Sequence, residues 1–213
     1  MRNLLWAASA LSAAAITGAA YASPILYTSQ TRTVEASATF GANTDSDSDT
    51  ATDFGPFPAT VFAEVNVGND RAFASASTAS SLDPMALSAS GSVNAVRMGS
   101  PASAFARSFF EIEFTLETGD LFDLAVGATN STWSITGPGG ILYQSGDEDL
   151  DLTDLFLSAG DYTFSFETIA EVDSAEGTLV STGSWSVILV LVPAPGIPTI
   201  AGLAALVAMR RRR

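Results

Sequence analysis

Apolar and polar residues alternate with a period of two along much of the chain, most clearly where Phe110, Ile112, Phe114 and Leu116 interleave with Glu111, Glu113, Thr115 and Glu117. Such alternation predicts a half-buried β-strand with an acidic outer face. Gly119-Asp120 turns this strand, and Phe122, Leu124 and Val126 continue the pattern on the next one. The alternation recurs at Trp133 and Ile135, at Tyr162, Phe164 and Phe166, and at Trp185, Val187, Leu189 and Leu191. Turn signals separate the runs: Gly137-Pro138-Gly139-Gly140, Ser145-Gly146-Asp147, Ala159-Gly160-Asp161 and Glu176-Gly177. Many short strands with Gly/Asp turns, and no amphipathic helix of any length, predict an all-β fold: an antiparallel β-sandwich or jelly roll with polar outer faces.

The first half of the chain carries a fainter version of the same signal. Val34, Ala36, Ala38 and Phe40 alternate, as do Val61, Ala63, Val65 and Val67, but Ala and Ser make up nearly half of the residues from Gly68 to Arg107. Small side chains release little free energy on burial, at roughly 25 cal/mol per Å². These strands are expected to pair through their backbones against the large-residue C-terminal sheet and to form the softer part of the domain. A low-complexity, disordered segment is the alternative, and the near absence of long charged side chains argues against it.

The two ends follow a different logic. Residues 1–22 read as an export signal, with Arg2 as the positive start, an apolar run from Leu4 to Gly18, and Ala20-Tyr21-Ala22 as a small-x-small cleavage site. The mature chain would begin at Ser23. Residues 192–213 hold three parts in order: Val192-Pro193-Ala194-Pro195-Gly196, the apolar run Ile197 to Met209, and Arg210, Arg211, Arg212 and Arg213. As a helix, 197–209 would rise only about 20 Å against a hydrocarbon core of roughly 30 Å, a marginal span that suits a temporary anchor. The arginines would stay cytoplasmic by the positive-inside rule, leaving residues 23–191 as one exported domain.

A signal peptide at one end, with a Pro-x-Pro motif, a short transmembrane helix and an arginine cluster at the other, resembles the PEP-CTERM sorting-signal proteins of Gram-negative bacteria. The resemblance covers residues 192–213 and the general plan of the chain, not the body. It implies an exosortase-type processing enzyme as partner, which would read Pro193, Pro195 and the Arg210 to Arg213 cluster, remove the tail, and send the body to the cell surface or an exopolysaccharide matrix. Ala194 stands where the name-giving motif has Glu, so the match is to a variant form. An ordinary C-terminal membrane anchor that is never cleaved is the alternative.

Charge and composition narrow the chemistry. The 213 residues include 23 acids against nine basic residues, all arginine, with no His, no Cys and a net charge of −14. All the acids lie between Glu35 and Glu176, where only Arg71, Arg97 and Arg107 oppose them; Arg32 just precedes, so the body carries a net −19. Without imidazole, thiol or lysyl amine the usual general base, thiolate nucleophile, Schiff-base amine and common zinc ligands are missing. Nor does so acidic a chain suit nucleic acid, whose phosphates need a basic face.

Three remaining chemistries are open to an acidic β-domain. Asp45, Asp47, Asp49 and Asp53, and Asp147, Asp149 and Asp151, alternate in a way that suits the oxygen ligands of Ca²⁺, although Thr50 and Pro56 stand where an EF-hand loop counted from Asp45 needs Gly and Glu. A solvated acidic loop explains the same runs. Glu111 and Glu113 share a strand face at a spacing compatible with a carboxylate-only glycosidase, or simply decorate an outer surface. Trp133, Tyr143 and Trp185 could form a sugar-stacking platform, yet the alternation puts both Trp on the apolar side. The expectation is a non-enzymatic, exported structural or adhesive protein with no cofactor; a polysaccharide- or Ca²⁺-binding module is the second reading.

Overall fold

A computed structural model describes residues 24–146, 149–173 and 177–192. The export segment expected at 1–22, the sorting segment with Pro193, Pro195 and Arg210 to Arg213, and Asp147 all lie outside the described residues. Among the described residues no helix is long and apolar enough to cross a membrane.

The chain forms twelve strands: β1 (Leu26–Phe40), β2 (Asn43–Thr50), β3 (Phe57–Val67), β4 (Asp70–Asp83), β5 (Ala86–Met98), β6 (Ala102–Leu116), β7 (Asp120–Thr129), β8 (Ser131–Gly137), β9 (Gly140–Gln144), β10 (Leu150–Leu157), β11 (Gly160–Val172) and β12 (Leu179–Leu191). They build two six-stranded sheets, ordered β2-β1-β6-β11-β8-β9 and β10-β7-β12-β5-β4-β3, in which every pairing is antiparallel. The expected β-sandwich is therefore present. Gly119-Asp120 is not a hairpin turn, however: β6 and β7 belong to opposite sheets, so this turn carries the chain across the sandwich. Val67 closes the alternation of β3 but lies exposed at the strand's end.

Period-two burial is nearly unbroken along β6, which runs from Ala102 through Ala104 and Ala106 to Phe110, Ile112, Phe114 and Leu116. One strand thus passes through two kinds of core. At one end the rings interlock: Phe114 stacks on Tyr162 at 5.4 Å and meets Phe164 edge-on at 5.3 Å, while Phe166 stacks on Trp133 at 6.0 Å and tilts against Trp185 at 5.4 Å. Offset and edge-to-face pairs at these distances add roughly 0.5–1.5 kcal/mol each beyond their buried area. The other end is filled mostly by Ala and Val, among them Ala36 and Ala38 of β1, Ala63 of β3, Ala74 of β4 and Ala104 of β6. So the small-residue strands are ordered, and they supply β1 and β6 of one sheet as well as β3, β4 and β5 of the other.

Small side chains let the sheets approach closely. Cα atoms of β1 come within 8 Å of β3 and β4, and those of β6 within 8 Å of β4 and β5, below the usual face-to-face spacing of about 10 Å. Between the two cores runs a line of buried polar groups: Arg32, Thr78, Ser80, Ser108 and Thr168. Thr78 and Ser108 share a hydroxyl hydrogen bond of 2.6 Å from sheet to sheet, and Thr168 donates to the Asn130 carbonyl at 3.0 Å.

Two glycines on this line make the approach possible. A Cβ on Gly91 would stand inside the radius of Ser108 Oγ and the Trp185 indole, and one on Gly183 would meet Thr168 Oγ1 and the Asn130 carbonyl. Gly91→Ala and Gly183→Ala are each expected to cost roughly 1–3 kcal/mol by overpacking. Gly139→Ala, with nothing within 4 Å of its Cβ position, should stay within about 0.5 kcal/mol of the parent. Urea unfolding midpoints of the three variants check this; equal midpoints would mean that the sheets are free to move apart at the seam.

Candidate functional site

The acidic run of the first half is an edge strand. Asp45, Asp47 and Asp49 pair with Ala38, Ala36 and Val34 of β1, so all three carboxylates lie on the core side of the sheet, just beyond its last covered strand. Successive side chains on one strand face are about 6.7 Å apart, which spreads the three carboxylates along the edge. Asp45 Oδ2 accepts the Glu64 N–H of β3, the edge strand of the opposite sheet, at 2.9 Å. Asp47 and Asp49 accept from the backbone N–H of Ser48 and Thr50, and Asp53, in the loop that follows, from that of Gly55.

The second run sits on the other flank. Asp149 Oδ1 accepts the Ala128 N–H at 3.3 Å, and Asp151 is exposed on β10, opposite Ala125. Asp154 adopts a positive φ at a break in the β10 register and donates its N–H to Asp123 Oδ1. Among the described residues no group of three or more Asp, Glu, His or Cys is placed to hold a metal ion. Inward-pointing carboxylates on β2 and an irregular, acid-bearing β10 are the features that keep open sheet edges from pairing with other chains.

Glu111 and Glu113 project from the outer face of β6, as an outer strand face requires. Trp133 and Trp185 are buried in the ring core and Tyr143 packs against it, so the aromatic platform is part of the interior. The residues with the most demanding environments are ones that alternation alone did not single out: two buried arginines. Arg32 extends inward from β1, and each of its three nitrogens has an acceptor. Its Nε donates to Gln30 Oε1 at 3.0 Å, Nη1 to the Gly55 carbonyl and Ser80 Oγ at 2.9 Å each, and Nη2 to the Asp53 carbonyl. The guanidinium also lies 5.5 Å from the Phe57 ring centroid. Burial pulls its pKa below the ordinary arginine value and the Asp53 charge pushes back, but a guanidinium keeps its proton in proteins. A phase signal was available: Arg32 falls in register with Val34, Ala36 and Ala38 on the inward side.

A second buried polar contact fixes the start of β1. The Tyr27 hydroxyl lies 3.0 and 3.1 Å from the carbonyls of Asp83 and Ala86, which share its single proton. Burial first, and the Asp83 charge second, push the phenol's pKa up, while the hydrogen bond to the Asp83 backbone pulls it down. Tyr27 is thereby held as a neutral donor.

On the outer face of the second sheet the registry lines up hydroxyls. Thr60, Ser77, Ser92, Ser184 and Thr129 are successive cross-strand neighbours over β3, β4, β5, β12 and β7. They floor an open trough of about 720 Å³, with Pro58 near one end and Asp149 at the other. Ser77 and Ser92 are hydrogen bonded at 2.8 Å. Such a surface offers many donors and acceptors. In comparisons with known proteins, no family model matches the chain, and neither a curated protein nor a solved structure does.

Two outcomes test these arrangements. Arg32→Met leaves two carbonyls, a serine hydroxyl and an amide oxygen without their donor and should cost at least roughly 3 kcal/mol in urea unfolding. Changing Asp45, Asp47 and Asp49 together to Ala is expected to leave the fold intact but to raise self-association in sedimentation velocity; a strictly monomeric triple variant would show that these carboxylates do not guard the edge.

Proposed function

We propose that this protein is exported, carries its β-sandwich to the cell surface or an exopolysaccharide matrix by way of the C-terminal sorting signal, and serves there in a structural or adhesive role. The observation that carries the reading is the order of the tail: Pro193 and Pro195, the apolar run 197–209, then Arg210 to Arg213. On this reading an exosortase-type enzyme cuts the chain, the membrane holds it only as an intermediate with its arginines in the cytoplasm, and nucleic acid is no partner. Support from the body is indirect. Glu111 and Glu113 lie on an outer face, Asp45 caps an edge, and Trp133 and Trp185 are spent on the core. The absence of His, Cys and Lys from the sequence favours a role without catalysis.

The hydroxyl trough favours a second reading, a binding module for polysaccharide, since closely spaced hydroxyls can exchange hydrogen bonds with a sugar chain. Mass spectrometry separates the sorting half of the proposal from its alternative. Surface-located protein is expected to start at Ser23 and to lack Arg210 to Arg213, and an intact arginine end on all such material would rule out tail removal. A glycan array with the full chain addresses the trough: a hit abolished by Ser92→Leu supports the second reading, and an empty array dismisses it.

A further inference from the structure

Three of the four arginines of the body have partners that explain them. Arg71 pairs with Glu64 at 3.1 Å and lies over the Phe73 ring, Arg107 bridges Glu35 and Glu167 and covers Phe109, and Arg32 is enclosed by neutral oxygens. Arg97 differs from all of them. It is 0 % exposed, yet none of its Nε, Nη1 and Nη2 donates to any group among the described residues. Its position on β5 puts it on the core side near the strand's end, directly beside Ala72 of β4 and Leu179 of β12, and two residues from Ala95.

The surroundings make this costly. A guanidinium cannot shed its charge by losing a proton, and burying an ion without counter-charge or acceptors is among the most unfavourable events in a protein interior. The small-residue core gives little in return, because Ala side chains bury little apolar area. Asp70, at the start of β4, lies against Gly99 in the β5–β6 turn, and among the described residues no ion pair joins an acid to Arg97. Water is close at hand: Leu179, the cross-strand neighbour on the same face, is 45 % exposed.

From this we infer that Arg97 is an oxyanion-binding residue, which takes a carboxylate or phosphate group at the small-residue end of the sandwich. A guanidinium presents a flat fork of donors matched to paired oxygens, and a bidentate ion pair satisfies charge and hydrogen bonds together. The exposed flank at Leu179 is the way in. With the body at a net −19, the long-range field repels anions, so the site selects by contact and not by attraction from a distance. The inference is independent of the sorting signal and of the hydroxyl trough.

The test uses the full chain, with ¹⁵N NMR of the arginine Nε–H groups and thermal unfolding, during titration with sodium acetate, sodium phosphate or sodium glucuronate at constant ionic strength. One Nε resonance, missing from the spectrum of Arg97→Met, is expected to shift and saturate. The melting temperature of the parent should rise with the logarithm of anion concentration while that of Arg97→Met stays level. Saturation by glucuronate at tenfold lower concentration than by acetate identifies a sugar acid as the source, and saturation by phosphate alone identifies a phosphate ester. No saturable shift with any of the three overturns the inference, as does an equal rise in melting temperature in parent and Arg97→Met. Should Arg97→Met fail to fold, Arg97→Lys replaces it: loss of the fork should weaken saturation at least tenfold, and unchanged saturation overturns the assignment.

Discussion

The gap between the two sheets is the constraint from which the rest of the structure follows. Facing strands at the Ala end come within 8 Å, which only small side chains permit, whereas Phe114, Phe164, Phe166 and Trp185 fill the other end with rings. Because β6 runs through both regions, its sequence must change from Ala to Phe at the point where the filling changes. The changeover is where the backbone is most confined. Gly91 and Gly183 occupy it, with Ser108, Thr78 and Thr168 hydrogen bonded along the same line.

A body with so many acids and so few cations must spend its arginines selectively. Two lie on the surface against glutamates, where exposed ion pairs contribute about 0–1 kcal/mol. Arg32 has a larger structural effect without any carboxylate partner, because it ties the β2–β3 loop to β1 and β4 through carbonyls and a hydroxyl. Many of the described acids, in turn, are placed where repulsion is least costly or useful: Glu111 and Glu113 on an outer face, and Asp45, Asp47, Asp49 and Asp151 on β2 and β10 at the sheet margins. Asp45 goes further by accepting an edge N–H of β3, so the margin of one sheet is stitched to that of the other.

The surface offers a hydroxyl row and an acidic edge, neither of which brings a nucleophile and a base together. What distinguishes the interior is the contrast between Arg97 and Arg32. Both are buried on strands of the sandwich, but one is met by oxygen acceptors and the other has none among the described residues. Identical side chains with identical burial can thus stand for a completed contact or an incomplete one, and only the inventory of acceptors tells them apart.

Alternation by itself determined the fold class, the inward faces of β6, β8, β11 and β12, and the interior position of Trp133 and Trp185, because a period of two fixes which side of a strand faces the core. It also determined that Asp45, Asp47 and Asp49 share a face. Which face that is came only with the pairing to β1, since a polar run carries no hydrophobic reference of its own. The order of strands, the crossing at Gly119-Asp120, the alignment of Thr60, Ser77, Ser92, Ser184 and Thr129, and the opposite fates of Arg32 and Arg97 were likewise decided by the tertiary structure. Each of these depends on residues far apart in the chain, and local periodicity records the direction of a side chain but not what it will meet.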